Sequence, residues 1–141
     1  MKPFSYYVLQ GAVKRQPSDR NLSIATARES SDRIALAKSI LETQKPKYSL
    51  ENAYESVREM ADAILFLEGY KSYSHEASLA YLKILGLPES VVESISNTKQ
   101  RRNDIKYSGG DASKEEASNA IKVAEEAILI LEKKLKLRLE S

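Results

Sequence analysis

The chain has 141 residues, 42% hydrophobic and 30% charged, which is one domain's worth of ordinary globular composition. With no Cys there is no disulfide framework, zinc knuckle or thiol nucleophile, and a single His leaves a metal site short of ligands, so no cofactor is expected. The 22 basic and 20 acidic residues give a net charge of only +2 with both signs interspersed, so any basic patch is local.

No apolar run approaches the ~20 residues that cross a bilayer. Met1-Lys2-Pro3-Phe4-Ser5-Tyr6-Tyr7 lacks the continuous apolar segment of a signal peptide, and the expected compartment is the cytoplasm. Residues 1–17 hold aromatic and apolar side chains without a sustained period, and read as an arm packed on the body of the protein or on a partner. The remainder, 18–141, reads as one helical domain.

Pro17-Ser18-Asp19 looks like a helix entry with Ser18 as N-cap. A first helix then runs from about Asp19 to Gln44 on a stripe of small residues that includes Ala27, Ser30 and Ala37. Lys45-Pro46-Lys47 ends it. The second helix, Ser49 to Glu68, has the cleanest period, with Leu50, Ala53, Tyr54, Val57, Met60, Ala61, Ile64 and Leu67 at spacings of three and four, and Gly69 follows as a C′ residue. Ser74 caps a third helix through Leu85. Pro88 opens a fourth, which runs to about Lys106 before Ser108-Gly109-Gly110. The capping box Ser113-Lys114-Glu115-Glu116 starts the last. No strand of consequence is predicted. The fold class is all-α, an antiparallel bundle of about five helices.

The fourth helix breaks its own pattern near its end, at Arg101-Arg102-Asn103-Asp104-Ile105-Lys106-Tyr107. At 100° per residue Val91, Ile95, Thr98, Arg102 and Ile105 share one stripe, and Arg102 lies within about 20° of Val91 in projection. A guanidinium is thus aimed at the apolar side, where it needs a cleft, a carboxylate or a phosphate. Asn103 and Tyr107 share the adjacent flank, and Lys106 stacks one turn below Arg102. Arg and Lys suit phosphate, Asn a base edge, and a Tyr ring a stacked base. Basic residues here also complement the helix dipole, which is explanation enough for Arg101 and Lys106, while a structural ion pair is the competing account of Arg102.

These residues give the chain a resemblance to the HEPN domain, a compact α-helical fold. It rests on Ala61-Asp62-Ala63-Ile64-Leu65 with Gly69 and Ser74-His75-Glu76-Ala77, on Arg102-Asn103 with an aromatic residue shortly after, and on the Ala-rich last helix behind a Gly turn and a Ser-x-x-Glu cap. It covers about residues 20 to 135. In active HEPN proteins an Arg, then four to six residues, then His forms a metal-independent RNase site across a homodimer. The resemblance implies that Arg102 contacts phosphate and puts Tyr107 in the His slot, where a phenol with a pKa near 10 is a poor general base. Relatives paired with a minimal nucleotidyltransferase carry Arg-x4-His-x-Tyr with an adenylylated Tyr, but here that position is Gly109. His75, following the capping Ser74, suits hydrogen bonding or packing. The clustered Tyr48, Tyr54, Tyr70, Tyr73 and Tyr81 suit core and interface, and Tyr6 and Tyr7 contacts to the bundle or a second protomer.

The function this implies is a homodimeric HEPN-like module that binds RNA or nucleotide phosphate through Arg102, Asn103, Lys106, Tyr107 and Arg101. It would partner a nucleotidyltransferase or belong to a toxin–antitoxin type system. The alternatives are an atypical metal-independent RNase using Arg102 and a purely structural helical dimer.

Overall fold

A computed structural model describes residues 1–141. In chain order the elements are α1 (Phe4–Leu9), β1 (Val13–Arg15), α2 (Arg20–Ile40), α3 (Pro46–Glu68), β2 (Tyr70–Ser72), α4 (His75–Ile84), α5 (Glu89–Ser108) and α6 (Lys114–Leu139). None of the helices is long and apolar enough to cross a membrane.

The bundle is built around α3, which packs against α2, α4, α5 and α6. Its period explains why: Ala53, Tyr54, Val57, Met60, Ala61, Ile64 and Leu65 are all essentially without solvent exposure. The small-residue stripe of α2 brings that helix close. Ser23 and Ser30 of α2 donate to the carbonyls of Ala63 and Ser56 of α3 at 2.6 and 2.5 Å, and Ser49 of α3 donates to Ala37. Each hydroxyl satisfies itself on backbone, so these serines are buried at little cost.

Six helices form where about five are predicted, and a two-stranded antiparallel pair appears where no strand is. The extra helix is α1, a single short turn-and-a-half whose one buried residue, Phe4, packs against Tyr70 and Tyr81. Each strand has three residues, with Val13 opposite Ser72 and Arg15 opposite Tyr70. Six residues of helix and three of strand are too short to display a period. The segment read as an arm therefore packs on the bundle.

Helix ends shift for local reasons. Asp19, not Ser18, caps α2 by accepting from Leu22 N–H, while the Ser18 hydroxyl donates to Leu67 O at 2.5 Å. Pro46 opens α3 rather than closing α2, because its fixed φ and missing N–H suit a first helical position. Lys45 caps nothing with its side chain; instead Asp111, from the α5–α6 turn, accepts from Lys47 N–H at 3.0 Å. Gly69 closes α3 at φ 91°, where a Cβ would stand 2.9 Å from Gln16 O. Ser74 caps α4, and Ser113 with Glu116 forms the capping box of α6.

Candidate functional site

One side of α3 departs from its apolar period. Glu51, Tyr54, Glu55, Arg58 and Asp62 follow at helical spacings and fall within an arc of about 100°. This stripe meets the N-terminus of α4 and the far end of α5, and four side chains from those helices join it: His75, Ser78, Arg102 and Asn103.

Arg58 sits at the centre of the stripe. It donates to Glu55 from Nε and Nη2 at 3.0 and 2.6 Å, and to Asp62 from Nη1 at 2.8 Å. The Ser78 hydroxyl donates to the other Asp62 oxygen at 2.7 Å. Even so, burial outweighs these partners and pushes the Asp62 carboxyl up to about 6. Glu55, with 10% of its side chain exposed, is shared between Arg58 and Arg102.

Arg102 lies where the helical phase predicts, with 15% of its side chain exposed. Its guanidinium carbon stands 5.5 Å from the centre of the Tyr54 ring, a cation–π contact. Nη2 is 3.5 Å from Glu51 and 3.6 Å from Glu55, close enough for charge neutralisation but at the limit of a hydrogen bond. Nη1 donates to Asn103 at 3.3 Å, and Nε is buried without a partner. The Arg102 charge is therefore balanced while its hydrogen-bonding capacity is underused.

His75 meets the other edge of Tyr54, with Nδ1 3.2 Å from the phenolic oxygen. Burial lowers the imidazole pKa, and Arg58 and Arg102 lower it further, against the opposing pull of Glu55. Burial raises the Tyr54 phenol, with Glu55 adding to it. Both rings are consequently neutral at pH 7, and Tyr54 can donate to Nδ1.

Beyond this network the start of α3 and the end of α5 frame an open cleft. Lys47, Tyr48 and Glu51 line one wall and Arg102 and Lys106 the other, over an apolar floor of Leu50 and Ile105. Gly109, in the left-handed conformation at the end of α5, forms part of the rim. The cleft thus presents three cations, one solvent-reachable carboxylate and a half-exposed phenol ring, Tyr48. No group of three or more acidic or imidazole side chains gathers in metal-ligating geometry.

Of the five residues singled out from the sequence, Arg102 and Lys106 reach this cleft, and Asn103 supports Arg102 from alongside. Arg101 turns to α6: it donates to both oxygens of Glu116, at 2.7 and 3.3 Å, and to Asp111 O, pinning the α5–α6 turn. Tyr107 is on the helix, which persists to Ser108, but is 93% exposed and lines none of the cleft. From the sequence Lys47 reads only as part of a helix stop and Tyr48 as core or interface, and Glu51, Glu55 and Arg58 are not singled out. Their signal was the run of charged residues Glu51, Glu55, Arg58 and Asp62 at spacings of three and four, hidden inside the strongest apolar period of the chain.

The sequence matches the family model of the HEPN domain over residues 25–134. No curated protein and no solved structure matches it.

Proposed function

We propose, for a chain that belongs to the HEPN domain family, that it binds the phosphates of RNA or a nucleotide in the cleft between α3 and α5. The observation that carries this reading is the state of Arg102: mostly buried, charge-balanced by Glu51 and Glu55, yet hydrogen-bonded to neither. An incoming phosphate oxygen offers that guanidinium better hydrogen bonds than the carboxylates it has. Lys106 and Lys47 add charge on either side, and the exposed ring of Tyr48 gives a base a stacking face.

Binding is favoured over cleavage because Tyr107 fills the position where the family's RNases carry His, and its side chain is exposed and lines none of the cleft. The module works as a homodimer, as the family likeness implies, and as an accessory to a nucleotidyltransferase or a toxin–antitoxin type system. A purely structural role for Arg102 has one observation behind it, its contacts with Glu51, Glu55 and Tyr54.

Fluorescence anisotropy with a labelled single-stranded RNA decides between these readings. Affinity is expected to weaken with rising salt and to fall roughly tenfold or more in Arg102→Met and in Lys106→Ala. Loss of melting temperature in Arg102→Met with unchanged affinity in both variants would leave only the structural role.

A further inference from the structure

Glu51 is out of place in a cleft built for anions. It balances Arg102 only from 3.5 Å and without a hydrogen bond, while Glu55 is the buried carboxylate shared by Arg58 and Arg102. Glu51 makes no hydrogen bond of its own, and nearly half of its side chain is exposed. Two acceptor oxygens are therefore presented to whatever enters, beside the exposed ring of Tyr48 one turn earlier on the same helix. For a bare phosphate this carboxylate only repels.

A carboxylate offers two parallel acceptors and no donor at neutral pH. Its complement is a planar group with two adjacent N–H donors. Among the bases, guanine alone has this on its Watson–Crick edge, at N1 and the N2 amino group. Adenine and cytosine set one donor beside a ring-nitrogen acceptor, and uracil sets its one donor between two carbonyls. Each of those would direct a lone pair at a carboxylate oxygen, a repulsive contact that discriminates as strongly as the attractive one.

Resting on the phosphate-binding reading above, we infer that Glu51 makes the cleft selective for guanine. The base stacks against Tyr48, N1–H and N2–H donate to the Glu51 carboxylate, and the phosphate lies toward Arg102 and Lys106. Glu51 leaves Arg102 as the ligand enters, so one exchange of partners frees the guanidinium for phosphate and the carboxylate for the base. Glu51 is a specificity-determining residue in this arrangement, and Arg102 and Lys106 provide affinity common to all nucleotides.

Calorimetric titration of the full chain with GMP, AMP and inorganic pyrophosphate separates the two levels. Wild-type protein is expected to prefer GMP to AMP by about tenfold to a hundredfold, the range of a bidentate base contact. Glu51→Gln and Glu51→Ala should bring that ratio close to one. Pyrophosphate has no base, and its binding should depend on Lys106. Equal affinity of wild-type protein for GMP and AMP, or a preference that survives both Glu51 substitutions, overturns the inference while Lys106-dependent pyrophosphate binding sustains the phosphate site. If neither nucleotide nor pyrophosphate binds, both fall. The pentamers UUGUU and UUAUU distinguish the source: the same preference among pentamers as among mononucleotides assigns the cleft to a guanine within RNA, whereas preference among mononucleotides alone assigns it to the free nucleotide.

Discussion

Two sides of α3 face neighbouring helices with polar groups removed from water, and they satisfy those groups in opposite ways. Toward α2 the groups are mostly neutral. Ser23, Ser30 and Ser49 each hand one proton to one carbonyl, and a single ion pair, Arg33 with Glu59, joins the two helices. Toward α4 and α5 the groups are ionic. Glu55, Arg58, Asp62 and Arg102 hold each other in partial burial, Asp62 is held ionised against its surroundings, and Arg102 keeps an unpartnered Nε. A seam selected for stability alone would resemble the first. The second retains charges that an apolar replacement could match or improve for stability, and such sites are where function is concentrated.

The comparison is broken most severely by enlarging the neutral seam. Ser30 has no exposed surface and touches the α3 backbone through its hydroxyl. Ser30→Leu combines overpacking with a lost hydrogen bond and should lower stability by about 3 kcal/mol in denaturant unfolding. A near-neutral result would mean that α2 and α3 are less closely fitted than the serine contacts indicate.

On the ionic side the sign reverses. Asp62 has its carboxyl raised from 3.8 to about 6, so above pH 6 the folded chain carries a buried charge that the unfolded chain carries in water. That cost is relieved as pH falls through about 6, and it is absent once both states are protonated below about pH 4. Asp62→Asn should therefore stabilise the protein by about 2 kcal/mol at pH 7.5 and by little at pH 4. A loss of stability at pH 7.5 would show that Arg58 depends on the Asp62 charge more than burial opposes it.

The smallest effects come from one chemical change made on both sides. Ser23→Ala removes a neutral bond and should cost about 1 kcal/mol at any pH. Ser78→Ala removes the hydroxyl that holds the Asp62 carboxylate, so the Asp62 titration followed by NMR should move above 6. Identical pH profiles for the two variants would erase the distinction between the seams.

Both seams were open to sequence reading to different depths. The α2 stripe of Ala and Ser announces close approach, and the helical phase of Arg102 turns it inward. What it turns toward was hidden. Tyr54 reads as one more apolar position in the α3 period, and Glu51, Glu55, Arg58 and Asp62 read as the solvated side of an amphipathic helix. Only the packing of α4 and α5 over that side makes it a network. Lys47 and Tyr48 open α3, where Asp111, far along the chain, accepts from Lys47 N–H. Tyr107 shows the converse limit: its spacing from Arg102 is legible, but the residue turns to solvent where the helix ends.

The short strand pair also bears on how the chain reaches this state. β1 directly precedes α2 and β2 directly follows α3, and the two helices run antiparallel, so once they pair the strand residues are already neighbours. Asp19 N–H donating to Phe66 O and Gln16 N–H donating to Gly69 O continue the pairing from helix to strand without a gap. The entropy of closing so long a loop is met by the α2–α3 contact, and adding the strands costs only the ordering of a few residues. The first fifteen residues therefore attach to β2 and α4, and none of them lines the cleft between α3 and α5.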